Sequence, residues 1–171
     1  MHILKNFFSF LFVISLISCN QDKNDIEVSS PNGNNSINFG LTEAGQPQYW
    51  VSHDDKTIID KSKLGFDYKN DIAFKAGFKI ISKSFESVEE EWEMPWGEQR
   101  LVQNNYNALV VELENTDKHR MNLYFRAYDD GVAFRYEILE QEGFKSLIIT
   151  EENTEFQLTG DHTTWWIPGD W

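Results

Sequence analysis

MNLYFRAYDDGVAFRYEI, residues 121–138, is two runs of alternating side chains on either side of Asp129-Asp130-Gly131. An acidic residue followed by glycine between two such runs is a strong hairpin signal. Met121, Leu123, Phe125 and Ala127 share a face of the first run, and Val132, Phe134, Tyr136 and Ile138 share one of the second. Two turns fit the pattern. With Asp130-Gly131 as the loop, Phe125 lies opposite Tyr136 and Arg126 opposite Arg135, which sets like charges against each other. With Asp129-Asp130 as the loop, the faces are unchanged and the two guanidinium groups stand diagonally. In either register both apolar sets fall on one side, as a half-buried antiparallel pair requires. The other side carries Arg126 and Arg135, flanked by Tyr124 and Tyr128. That face needs water, carboxylates or another domain against it.

Outward from this hairpin the chain keeps the same short period. Ile37–Leu41 alternates, Gln48–Ser52 reads as a short strand, and His53-Asp54-Asp55-Lys56 is a turn before Thr57-Ile58-Ile59. Phe78–Ile81 is an apolar run and Phe85–Trp92 is mixed and acidic. Asn107–Glu114 places Leu109, Val111 and Leu113 on one face, and Phe144–Thr150 and Glu155–Leu158 follow the hairpin. No window holds a helical period over ten or more residues, so the chain is expected to be all-β, and an antiparallel β-sandwich is the economical architecture.

The 171 residues, 40% of them hydrophobic and 15% aromatic, suffice for one domain with a sizeable core. A formal charge of −13 argues against nucleic acid as a partner, since phosphate binding needs a basic face. Residues 1–18 read as a signal peptide. His2 and Lys5 form a short basic region, Phe7–Ile17 is too short an apolar run to span a bilayer, and Leu16-Ile17-Ser18-Cys19 is similar to a bacterial lipobox. Cys19 is then the lipidated N-terminus, and losing Lys5 takes the mature charge from −13 to −14. Asn20 stands where an aspartate would retain a lipoprotein in the inner membrane of enteric bacteria, so the outer membrane is the expected address. Residues 19–36, polar and rich in Asn and Ser, read as the lipidated end and a flexible tether to a domain over 37–171. Cys19 is the only cysteine, so the mature domain has no disulfide and no cysteine metal site.

Chemistry-bearing motifs are scarce. His53, His119 and His162 are far apart and lack metal-ligand spacing, and there is no phosphate-binding glycine loop, nucleophile elbow or H-E-x-x-H. Glu89-Glu90-Glu91, Asp129-Asp130 and Glu151-Glu152 read as solvated loops and turns. The aromatics carry more information. Trp92 and Trp96 bracket Glu93-Met94-Pro95, and Trp165, Trp166 and Trp171 crowd into the last seven residues, with Asp170 among them. Exposed indoles stack on sugars, whereas a tryptophan in a β-sandwich more often packs in a core or interface, and packing is the preferred reading. Trp165, Trp166, Asp170 and Trp171 are therefore candidates for carbohydrate binding or a domain interface, unless the end tucks back onto its own sandwich.

Ser30-Pro31-Asn32-Gly33, Ser62-Lys63-Leu64-Gly65, Trp92-Glu93-Met94-Pro95-Trp96-Gly97-Glu98 and Asn105-Tyr106-Asn107 occur in that order. They are followed by the Tyr124–Tyr136 hairpin and by Trp165-Trp166-Ile167-Pro168. Together these motifs resemble the N-terminal domain of glycoside hydrolase family 97, bacterial α-glucosidases and α-galactosidases, many from gut Bacteroidetes. The resemblance implies a β-supersandwich of the galactose-mutarotase-like kind, followed in the family by a catalytic (β/α)8 barrel that is absent here. The family's acid and its base or nucleophile are barrel carboxylates, so no residue of this chain inherits a catalytic role. The family also binds calcium at its active site, one ligand coming from the N-terminal domain shortly after Trp-Trp-Ile-Pro. The chain stops just short of that glutamate, so it is expected to bind no calcium alone. Its expected partners are the barrel, the oligosaccharide substrate of the intact enzyme, and a membrane through the lipid only. The alternative is a stand-alone carbohydrate-binding lipoprotein that stacks sugars on its C-terminal tryptophans.

Overall fold

The structure, a computed structural model, describes residues 25–69, 74–141, 146–163, 165–167 and 169. Among them there is no helix. Eleven strands run in chain order: β1 Ile26–Ser29, β2 Asn35–Leu41, β3 Pro47–His53, β4 Lys56–Lys63, β5 Phe66–Tyr68, β6 Lys79–Glu93, β7 Leu101–Glu114, β8 Arg120–Tyr128, β9 Gly131–Ile138, β10 Ile149–Glu152 and β11 Gln157–Leu158. They form a five-stranded sheet ordered β1-β2-β3-β4-β11, a four-stranded sheet ordered β6-β7-β8-β9, and the pair β10-β5. All the pairings are antiparallel.

The alternating residues of β2, β3, β7 and β8 close the sandwich. Ile37, Phe39, Tyr49 and Val51 from one sheet meet Leu109, Val111, Leu113, Met121, Leu123, Phe125 and Ala127 from the other, all buried. The ring of Phe39 lies 5.6 Å from that of Phe125, and the ring of Tyr49 lies 5.0 Å from that of Phe134. Leu64, Tyr68, Phe74 and Phe78 extend this core. The antiparallel β-sandwich expected from the alternation is the fold observed. Gly45, at φ +71°, lets the Thr42–Gly45 turn lie directly on Phe78, whose backbone oxygen would be 2.6 Å from an added Cβ. Phe78 N donates to Gly45 O at 2.9 Å, which ties the loop after β2 to the entry of β6.

The hairpin adopts the second of its two registers. Tyr128 pairs with Gly131, Phe125 with Phe134 and Arg126 with Ala133, so Asp129-Asp130 is the loop and the Asp130-Gly131 alternative is excluded. Neither aspartate of this loop has a positive φ, in contrast to Asp54 and Asp55 in the β3–β4 turn, at +47° and +61°. The clamp comes from the other sheet. Asn35 Nδ2 donates to Tyr128 O at 2.9 Å and to Asp129 O at 3.0 Å, while Asn32 N donates to Asp129 Oδ1 at 2.9 Å.

That contact corrects the expected tether. From Ile26 onward residues 19–36 are ordered: Ile26 and Val28 point into the core from β1, and Ser30–Asn34 is the turn into β2. With only two apolar residues, β1 is too short for its period to stand out from the polar turn that follows. The expected signal peptide and the Cys19 lipidation site lie outside the described residues.

At the end of β7, Glu114 receives Lys79 Nζ at 3.1 Å, Lys118 Nζ at 3.2 Å and Arg120 Nη2 at 3.1 Å. Lys79 first, then Lys118 and Arg120, hold its carboxyl at about 2 instead of 4.5. The folded state therefore favours the carboxylate. Its contribution is complete above pH 4.5 and is lost as pH falls towards about 2. Glu114→Gln is expected to flatten this part of the acid-unfolding curve and to destabilise the chain at neutral pH. An acid limb unchanged by the substitution would show that the cluster contributes nothing.

Candidate functional site

Three surfaces collect the residues singled out in the sequence. The first is the β11 edge and the stretch beyond it. β11 pairs with β4 through Gln157–Asp60 and Leu158–Ile59. Just before it, the Phe156 ring stands 6.2 Å from Tyr49 and 6.4 Å from Phe134, at the margin of the core, yet 62% of Phe156 is exposed. Leu158, Ile148 and Ile149 are also more than half exposed. Trp165, Trp166 and Ile167 are 91%, 77% and 90% exposed. The alternative that the chain end packs on its own sandwich is thus excluded for these three residues. Asp170 and Trp171 lie outside the described residues. Large apolar side chains left open in this way mark an interaction surface, since burying each stabilises by about 1.5–3 kcal/mol. The combined substitution Trp165→Ala/Trp166→Ala is expected to cut binding of the dye ANS severalfold while the thermal midpoint stays nearly constant. Unchanged dye binding would place the open apolar surface elsewhere.

The second is the arm formed by β6 and β7. Pairing of β7 with β8 stops at Tyr106–Tyr128, whereas β6 and β7 stay paired out to Glu93–Leu101. The outer part is therefore a ribbon of two strands, with Trp92 and Leu101 on it and Met94 and Trp96 at its tip, all exposed. Trp92 and Trp96 do not pack in the core of this chain, so of the two packing sites expected for them, a core or an interface, their exposure is compatible with the interface alone. The alternation that placed them on strands says nothing about how far the second sheet reaches.

The third is the outer face of the central hairpin. Arg126 Cζ lies 4.4 Å from the centre of the Tyr106 ring, and Arg135 Cζ lies 4.4 Å from that of Tyr124. Arg126 Nη1 also donates to Tyr128 Oη at 3.4 Å. Tyrosine rings lie against both arginines, which point away from the second sheet, while the carboxylates of Glu86 and Glu137 act on Arg126 and Arg135 from farther off. The nearby carboxylate, Glu137, accepts from Tyr124 Oη at 2.7 Å and from Asn122 Nδ2 at 2.9 Å. Those two bonds, Tyr124 first, hold its pKa below the ordinary range. Tyr124, Arg126, Tyr128, Ala133 and Arg135 border a shallow depression of about 210 Å³.

None of the three surfaces assembles acid–base or nucleophilic machinery. Glu89, Glu90 and Glu91 line an open face of the β6–β7 ribbon with Gln103 and Asn105. Among the described residues no three His, Cys, Asp or Glu side chains are placed to hold a metal ion. Calcium takes six to eight oxygens, and the donors described here do not fit it.

The architecture is thus that of an antiparallel β-sandwich domain with open apolar edges and no catalytic cluster among its described residues. Residues 28–171 match the family described as Glycosyl-hydrolase 97 N-terminal, and the chain belongs to that family. It is 25% identical, over 156 residues, to a retaining alpha-galactosidase of Bacteroides thetaiotaomicron, covering 91% of this chain and 22% of that protein. A Glycoside Hydrolase Family 97 enzyme from Pseudoalteromonas sp. strain K8, solved in complex with panose and with acarbose, superposes with a TM-score of 0.77 at 36% identity. That match covers 84% of this chain and 22% of the enzyme. A beta-arabinopyranosidase superposes with a TM-score of 0.71 at 28% identity, covering 78% of this chain and 21% of its own. The chain spans about a fifth of the length of these relatives.

Proposed function

We propose that this chain is the N-terminal, non-catalytic sandwich of an α-glycosidase, and that it packs on a (β/α)8 barrel and completes the rim of the active site. The observation that carries this reading is the open apolar edge. Phe156 and Leu158 stand at the rim of a finished core, Trp165–Ile167 lie beyond it, and all are exposed in a domain whose relatives are several times longer. Panose and acarbose, bound by one relative, and the alpha-galactosidase activity of another support terminal α-linked glucose or galactose as the substrate class. In the intact enzyme the acid, the nucleophile or base and most calcium ligands would come from the barrel, so the sandwich positions and seals. Cys19 would tether it to the outer membrane through lipid.

The test begins with the coding sequence downstream of Trp171. The longer reading frame is expected to hydrolyse p-nitrophenyl α-glucoside or α-galactoside. The 171-residue chain is expected to hydrolyse neither, with or without calcium. Activity in the short chain, or a longer frame with no barrel, would overturn the reading.

The exposed indoles of Trp165 and Trp166 favour one second reading, a sugar-binding lipoprotein in its own right. Titration with maltose and galactosides, followed by tryptophan fluorescence, decides it. No spectral change up to millimolar sugar would remove it.

A further inference from the structure

We propose that the outer face of the β6–β9 sheet takes a second copy of this chain, with Glu86 of each copy seated between Arg126 and Arg135 of the other. This proposal is independent of the glycosidase reading. The strand register supplies its geometry. Glu86 pairs with Ala108, Ala108 with Arg126 and Arg126 with Ala133, so these four residues form one row across the sheet. The next row runs Ser84, Val110, Tyr124 and Arg135. One edge of the face is therefore acidic and the other basic, at the same height along the strands.

A two-fold axis parallel to the strands and midway between β7 and β8 preserves the rows and carries β6 of one copy over β9 of the other. Glu86 of the second copy then lands above Ala133. There the small side chain floors the 210 Å³ depression, with Arg126 beside it in the same row and Arg135 in the next. Symmetry repeats the contact, so the interface is isologous and closes at two copies. Sheets pack face to face about 10 Å apart with strands within about 30° of each other, a spacing that arginine and glutamate side chains bridge.

The charges fit this occupant. The chain has 28 acidic and 15 basic residues. Within one copy Glu86 acts on Arg126, and Glu137 on Arg135, only at longer range, and among the described residues none of Glu86, Arg126 and Arg135 makes an ion pair within 4.0 Å, so each arginine has room for a close carboxylate. Contact with the Tyr106 and Tyr124 rings, 4.4 Å from each Cζ, restrains both guanidinium groups before any partner arrives, so less rotamer freedom is lost when a carboxylate binds. A four-stranded face is small for an interface. The expected dimer is therefore weak, in the micromolar range, and depends on these charges.

Sedimentation velocity on the purified chain tests it, comparing wild type with Glu86→Lys, Arg135→Glu and the double variant. Wild type is expected to dimerise with concentration and to dissociate as added salt screens the charges. Each single swap is expected to weaken the dimer about tenfold or more, and the double swap to restore it to within about threefold, because charge pairing is regained. Glu86 is exposed on β6, so its variant reports on the interface and not on folding, which thermal midpoints verify. A chain that stays monomeric, single swaps without effect, or a double swap without rescue would each overturn the proposal. So would association that ignores the swaps and disappears with Trp165→Ala/Trp166→Ala.

Discussion

Phe125→Ala is expected to lower the unfolding free energy by about 3–5 kcal/mol, the range for deleting a buried aromatic ring. Phe125 is 1% exposed and stands where the two sheets meet. Its ring is 5.6 Å from that of Phe39 across the sandwich and 6.4 Å from that of Phe134 on the neighbouring strand. Leu109 flanks it on the other side. Neighbours from three strands and both sheets cannot all relax into the vacated space, so most of the cavity cost persists. Set against a total of about 5–15 kcal/mol for a domain, the loss leaves the chain marginal or unfolded at physiological temperature. Phe125→Leu keeps most of the volume and is expected to cost less, about 1.5 kcal/mol. Urea unfolding of the two variants checks both values. A cost below about 1 kcal/mol for the alanine variant would mean that the sandwich does not close over this position.

The second large effect is expected at a polar residue. Asn35→Ala removes two donated bonds, to the carbonyls of Tyr128 and Asp129, and a third contact in which Asn35 Oδ1 lies 2.7 Å from His53 Nδ1. Asn35 is 8% exposed, and although Asp129 and His53 are open to water, the half-buried Tyr128 carbonyl loses its donor beneath the turn. The expected cost is about 2 kcal/mol. Asn35→Asp is expected to be no better, since it sets a carboxylate against two carbonyl oxygens. The measurement that separates local from global effects is amide hydrogen exchange. Asn35→Ala should release the amides around Asp129–Gly131 before those of β7. Equal release throughout, or a stability change below about 0.5 kcal/mol, would show that the asparagine does not clamp the turn.

The candidate surfaces were only partly legible in the sequence. Trp165 and Trp166 could be singled out because tryptophans crowded at a chain end are unusual, but their exposure depends on what packs beside them. Trp92 and Trp96 read as packed residues because their surroundings alternate like any strand. They are exposed because the β6–β7 ribbon outruns β8. Glu86 carried no signal at all in an acidic run, and only the strand register aligns it with Arg126 and Ala133. The stretch from Ile26 to Asn34 reads as a tether for a related reason. Two apolar residues make no recognisable period, and their burial becomes apparent only once β2 lies beside them.

Local chemistry alone determined the all-β character, the apolar faces of β2, β3, β7, β8 and β9, and the place of the central hairpin. Alternation and turn residues act over a few positions and need no distant partner. The ordered family motifs extended this to the sandwich itself. The tertiary structure decided what depends on contacts between distant segments. Asn35, more than ninety residues away in sequence, selects the Asp129-Asp130 turn by binding the carbonyls of Tyr128 and Asp129. That register keeps Arg126 and Arg135 from facing each other, and each lies instead on a tyrosine ring. The alternation allowed both turns because both bury the same apolar side chains. The choice between them rests on hydrogen bonds from the opposite sheet and on charge repulsion, and neither is written in the period of a strand.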